Sequence, residues 1–276
     1  MKSQLAYLYL LSPLHTGGTS QEGNVVGIAR EVHSNLPYLP SSSIRGRLRT
    51  ATPENKRNLL WGNTLEDVTG GSDENLQQGK VWVGDASLLW FPVPSLSHGV
   101  VWITSPFLLQ RWVRYLDKKP AIPEPYSFRS DNQANLYLRD AVFKKEKLKS
   151  WEHKQFIPSG CSETSIMKNL LVLSDQNCQV LIEASLWRQV KIRLNEEKSV
   201  QGGFRYEEAI SPESLLYFPW GVNVAANGNG EDAKANFRKV MEDCSLLQLG
   251  GQESLGRGFT RQWIVPEETQ NSQQQQ

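Results

Sequence analysis

The sequence predicts an α+β fold with an antiparallel sheet. Short apolar or alternating runs of strand length recur along the chain, and helix-periodic segments interrupt them. The connections read as hairpins and long loops rather than as a regular βα alternation, which separates this class from a doubly wound parallel sheet. No internal repeat is visible.

Residues 5–11 are almost continuously apolar and short, as a central strand requires. A Gly-, Thr-, Ser- and Asn-rich segment runs from Ser12 to Pro40, a length that in a compact domain marks a functional or mobile loop. Pro40-Ser-Ser-Ser-Ile-Arg-Gly-Arg-Leu-Arg49 then opens a helix. Ser41, Ser42 and Ser43 are candidates to satisfy its free first-turn donors, the same donors that bind phosphate. Ile44 and Leu48 share one face, Arg45 and Arg49 form the row beside them, and Arg47 adds a third cation. Gly46 removes bulk where another backbone could approach, and Pro53 ends the helix. Two readings stay open: a grip for a polyanion, or an ordinary surface helix with solvated arginines.

An irregular polar stretch surrounds Thr69-Gly-Gly-Ser-Asp73. A strand is expected at Lys80–Trp90 with Asp85 inside it, another at Val100–Ile103, and a helix from about Pro106. Residues 117–160, charged and weakly periodic, read as an insertion packed loosely on the main domain. Strands resume at Leu170–Leu173 and Val180–Trp187. Val190, Ile192 and Leu194 then alternate with Lys191, Arg193 and Asn195. A turn at Glu196-Glu-Lys198, the pair Gly202-Gly203 and the run Phe204–Glu208 with Arg205 complete a hairpin over about 190–211. It is either a basic-faced projection or a plain amphipathic pair within the sheet. A strand near Leu215–Phe218 and a helix over Asp232–Asp243, with Phe237, Val240 and Met241 on one side, come next. The glycine-rich loop Gly250–Gly258, with Gly250, Gly251 and Arg257, is an anion nest or a structural turn before a last strand. One domain is expected over 1–268, with a disordered glutamine-rich tail at 269–276.

The charge balance, 30 basic against 29 acidic residues, excludes a uniformly basic nucleic-acid coat, so any polyanion site must come from local clustering. Three distant cysteines fit neither a disulfide framework nor zinc spacing, and the four histidines show no metal spacing. With no long apolar run and no signal-type segment after Met1, the expectation is a cytoplasmic protein with no membrane contact.

Five segments, in order, resemble the RAMP proteins of CRISPR effector complexes, closest to the repeated backbone subunit of the Cmr (type III-B) complex. They are Leu11-Ser-Pro-Leu-His-Thr-Gly-Gly18; Ile28-Ala-Arg-Glu31 with Leu36-Pro-Tyr-Leu-Pro-Ser-Ser-Ser-Ile-Arg-Gly46; Gly84-Asp-Ala-Ser-Leu-Leu-Trp-Phe-Pro-Val-Pro-Ser95; Ile192-Arg-Leu-Asn195 with Gly203-Phe-Arg-Tyr-Glu-Glu208; and Leu249-Gly-Gly-Gln-Glu-Ser-Leu-Gly-Arg-Gly258. The resemblance implies a modified ferredoxin-like (RRM-like) fold with a long N-terminal loop and a protruding thumb hairpin. It implies copies stacked head to tail along crRNA, each thumb splaying the guide–target duplex. Partners would be crRNA, complementary target RNA, further copies of the chain and other type III subunits, including the large cyclase-like subunit and small subunits.

On this reading Ser41–Arg49 and Gly250–Gly258 converge on one groove around the guide. Lys191, Arg193, Lys198 and Arg205 contact the duplex backbone, and Val200 or Phe204 wedges into the stack. The family's loop carries an aspartate for metal-dependent target cleavage, but the matching position here is Val25. Glu22 is the nearest loop carboxylate, and His15 is either a proton-transfer group or a structural histidine. If the chain cleaves RNA, the metal is Mg²⁺ or Mn²⁺ shared with RNA phosphates; the chain itself encodes no bound cofactor. The alternatives are a cleavage-silent scaffold and a stand-alone endoribonuclease that processes precursor crRNA through His15 and the glycine loop.

Overall fold

The computed structural model describes residues 3–18, 21–22, 24–63, 78–139, 141–223 and 230–265. Strand β1 (Gln4–Leu10) is followed in the long loop by β2 (Gln21–Glu22), β3 (Val25–Val26) and β4 (Tyr38–Leu39). Helices α1 (Ser41–Ala51) and α2 (Glu54–Trp61) lead to β5 (Val81–Val83), β6 (Ala86–Ser95) and β7 (Gly99–Thr104). After α3 (Pro106–Val113) come β8 (Phe128–Arg129), β9 (Leu136–Tyr137), β10 (Val142–Phe143) and β11 (Leu170–Val172). Helix α4 (Asp175–Ala184) precedes β12 (Trp187–Leu194), β13 (Val200–Ala209) and β14 (Leu215–Val222). Helix α5 (Gly230–Asp243) and strands β15 (Leu246–Gln248) and β16 (Phe259–Trp263) follow.

The main sheet runs β15-β16-β1-β14-β6-β7-β11-β8, with β4 on β6 and β5 on β14. Its pairs are antiparallel except β11 beside β7, so the expected antiparallel sheet carries one parallel step. The apolar run of β1 is explained by burial on both faces. Ala6, Leu8 and Leu10 enter one cluster with Ile44, Leu60, Ile182 and Phe237 of the helices. Leu5, Tyr7 and Tyr9 enter a second with Trp112, Phe156 and Met167. In β6 the pairing shifts between Trp90 and Leu88, so Leu89 is an extra residue, and Leu89 and Trp90 both join the second cluster.

Four sequence expectations change. Val180–Ala184 belongs to α4, because Cys178, Leu181 and Ile182 follow helical spacing into the core; the strand starts only at Trp187. Pro53 ends α1 but also stands at the start of α2, where its missing donor costs nothing. Lys80–Trp90 is two strands, with Gly84 and Asp85 between them. Residues 117–160 are firmly anchored: β8 pairs with β11, and Leu136, Leu138 and Phe156 are buried. A phenylalanine buried like Phe156 is worth about 3 kcal/mol on truncation. Thr69–Asp73 and 269–276 lie outside the described residues.

Candidate functional site

The hairpin β12–β13 is clamped at its root on both faces. Arg188 and Glu208 sit opposite each other, and with Arg30 and Glu183 they close a four-member ring of charges. Arg188 Nε donates to Glu208 Oε1 at 2.9 Å and Nη2 to Glu183 Oε1 at 2.8 Å. Arg30 donates to Glu208 Oε2 at 3.0 Å and to both oxygens of Glu183. Burial alone would lower the Arg30 pKa, but Glu183 and Glu208 outweigh it and raise it. The ring joins the long loop, the end of α4 and both strands of the hairpin. On the other face Arg257 lies 4.5 Å over the Trp187 ring, and its Nη2 is 3.2 Å from both Gln189 Oε1 and Glu207 Oε2. Burial lowers the Arg257 pKa, and Glu207 offsets part of that.

Beyond the root the two faces diverge. Val190 opposes Tyr206 and Ile192 opposes Phe204, and with Leu194 these side chains are 38–52 % exposed. On the reverse, Lys191 opposes Arg205; Arg205 is paired with Glu207 at 2.9 Å, and Lys191 has no anionic partner among the described residues. Like charges placed directly opposite destabilise a ladder unless an anion covers them. The side chains of Arg193, Val200 and Glu22 lie outside the described residues. The backbone of Glu22, in β2, opposes Val25 of β3, and Val25 pairs in parallel with Tyr206. The loop carboxylate is therefore carried on a ribbon attached to the hairpin, and a groove of about 510 Å³ opens between loop and root.

His15 and the glycine loop join the same assembly. His15 Nδ1 donates to the Glu208 carbonyl at 2.9 Å, its carbonyl accepts from Gly251 N at 2.8 Å, and its ring is buried. A Cβ on Gly250 would stand 2.4 Å from that carbonyl. His15 thus fixes the loop to the hairpin. Arg257, expected on an RNA-facing surface, is 3 % exposed and serves the root instead.

The arginine helix differs from expectation. The serines occupy its first turn but do not cap it; Asp85 Oδ1 accepts from Ser41 N at 2.7 Å, so a protein carboxylate takes a donor that phosphate could use. Arg45 donates to the Trp61 carbonyl and Arg49 to the Gly62 carbonyl at 2.5 Å, satisfying the end of α2. Arg47 Nε is buried without a hydrogen-bond partner. Outside its own helix no atom of the described residues lies within 4 Å of a Cβ placed on Gly46, so the close backbone approach expected there does not occur among the described residues. The two predicted grips are also anchored at different points of the sheet. Gly84, beside Asp85, bonds Pro219, which pairs with Leu5, whereas the glycine loop bonds residues 13–15 beyond Leu10. Along β1 that separates them by about 17 Å.

A family model described as the RAMP superfamily matches residues 7–261. The chain belongs to the RAMP superfamily. It is 29 % identical to the CRISPR system Cmr endoribonuclease Cmr4 of Pyrococcus furiosus, covering 95 % of each chain. A crystal structure of oligomeric Cmr4 from Pyrococcus furiosus superposes with a TM-score of 0.69 at 23 % identity, covering 96 % of this chain and 98 % of that one. A chain in the type III-B Cmr-β structure bound to cognate target RNA gives 0.73 at 20 %, covering 95 % and 97 %. The mixed α+β fold of this RAMP chain is thus Cmr4-like over its length. The charge ring escaped the sequence reading because register counted from the hairpin turn fails. Between Ile192 and Leu194 the partner strand advances from Phe204 to Val200, across Gly202-Gly203, so Arg188 and Glu208 do not read as opposites.

Proposed function

We propose that this RAMP chain is a guide-RNA-binding backbone subunit of a type III CRISPR ribonucleoprotein. It stacks in several copies along crRNA and positions complementary target RNA, alongside the large cyclase-like and small subunits. In this reading 1–268 is one ferredoxin-like RAMP domain and the hairpin is its thumb. The observation that carries the proposal is a hairpin immobilised at its root by Arg30, Arg188, Glu183, Glu208 and Arg257 while its distal apolar face stays half-exposed. A rigid blade bearing Ile192 and Phe204 can enter a base stack, where apolar wedges offset the cost of unstacking. Lys191 and Arg205 lie on the reverse face, and Arg193 and Lys198 lie nearer the tip; phosphates there would relieve the repulsion between the opposed cations. The hydroxyls of Ser41, Ser42 and Ser43, the guanidinium groups of Arg45, Arg47 and Arg49 and the backbone at Gly250 and Gly251 remain guide contacts in this proposal.

Among the described residues no group of three His, Cys, Asp or Glu could hold a metal, and a Mg²⁺ or Mn²⁺ acting in cleavage would be shared with RNA phosphates. His15, buried and committed to Glu208, does not support the precursor-processing reading. Assembly on guide RNA tests the proposal. Wild type should form particles whose length follows the RNA, and a monomer or dimer at every RNA length overturns it. In the same particles, target fragments lost on Glu22→Ala assign cleavage to the loop, and intact target with wild type makes the chain a scaffold.

A further inference from the structure

We propose a second RNA-backbone groove at the β8 edge of the sheet, built by residues 128–168. Two adjoining grooves, of about 490 and 380 Å³, share Arg129 and Asp131. Lys145 lines the first; Lys154, Lys168 and His153 line the second. Asp131 is the single carboxylate among the lining residues, and it is paired with Arg129 at 2.6 Å. Of the neighbouring acids, Glu124 pairs with Lys149 and Glu163 with Arg261, while Glu152 accepts from the Lys154 backbone N–H at 3.1 Å. Ser159 Oγ, on the lining of the second groove, is buried with no hydrogen-bond partner. The His153 pKa is lowered by burial and by Arg129 and Lys154, against the opposing pull of Glu152 and Asp131. Cations interleaved with hydroxyl and amide side chains, without an exposed aromatic platform, suit a sugar–phosphate strand held without base readout.

The place in the fold makes this surface distinct from the hairpin root. None of the residues lining the two grooves belongs to the hairpin root or the glycine loop: the first groove stands at the β8 edge, and the second reaches across the sheet face towards β16, where Ser159 O accepts from Trp263 Nε1 at 2.9 Å and Glu163 pairs with Arg261 at 2.7 Å. The firm anchoring of β8 and Phe156 makes the groove part of the rigid body. The choice of RNA as the polyanion rests on the proposed function; the groove does not.

The test is binding of a fluorescein-labelled polyuridine RNA to the full chain over a salt series. The triple variant Lys145→Glu, Lys154→Glu, Lys168→Glu changes exposed side chains only. Its affinity should fall about tenfold and its salt slope by about 2, since each lost phosphate contact on a single strand contributes about 0.7. Photocrosslinking of 4-thiouridine RNA to wild type should label peptides within 145–168, a readout independent of any variant's folding. Unchanged affinity and slope in the triple variant, with binding lost only in Lys191→Glu, Arg205→Glu, overturns the groove and leaves the proposed function standing. Normal RNA binding with loss of co-assembly on partner subunits makes the surface a protein contact and also overturns it. No RNA binding by wild type overturns both proposals.

Discussion

Helix α1 and the hairpin β12–β13 invert what their sequences advertise. The helix displays serines, a glycine and three arginines, yet Asp85 takes its first-turn donor and Arg45 and Arg49 close the end of α2. The hairpin looks like an ordinary amphipathic ladder, yet its distal apolar face is half-exposed and a closed ring of ion pairs sits at its root. Ligand-type chemistry in a motif does not mean free ligand groups. What is free is decided by whether the fold already supplies partners.

Substitutions can break this contrast. The largest expected effect is at the joint that holds the glycine loop against the hairpin assembly. A Cβ on Gly258 would stand 1.8 Å from the Leu249 carbonyl oxygen at φ +81°, so Gly258→Ala should cost about 4 kcal/mol or more and abolish a cooperative thermal transition. Glu208→Ala leaves two arginines of the ring without one carboxylate and should destabilise by about 3 kcal/mol in denaturant titration. Asp85→Ala removes the capping acceptor of α1 and should cost about 1 kcal/mol. Because the distal apolar side chains are half-exposed, Ile192→Ser with Phe204→Ser should change stability by no more than about 1 kcal/mol while weakening target engagement.

The smallest effect lies outside both regions and gives a baseline. Arg261, hydrogen-bonded at 2.7 Å, holds the Glu163 carboxyl at about 2. Because the folded value is the lower one, this contribution is complete at neutral pH, declines as pH falls below the ordinary carboxylate range and is gone near 2. Arg261→Gln should flatten that part of the acid-side stability curve.

Legibility followed the range of the interactions. β1, α3, α5 and β14 were readable because their periodicity reports burial against the sheet, a local pattern. Helix α4 was misread because the β-branched Val180 and Ile182 imitate a strand, while Cys178, Leu181 and Ile182 carry the helical face. His15, Gly250 and Gly251 were recognisable as a group, but their contact is a bridge between residues far apart in sequence. Arg30 lies far in sequence from Glu183 and Glu208, Glu183 and Arg188 sit on different elements although five residues apart, and a shifted hairpin register conceals the Arg188–Glu208 pair.

The most direct measurement places 2-aminopurine along a target RNA paired with guide in assembled particles. Fluorescence should rise at regularly spaced bases with wild type and fall back to the stacked level with Ile192→Ser, Phe204→Ser. Uniformly quenched bases in wild type, or the same bright bases in the variant, would contradict the hairpin as the element that opens the duplex.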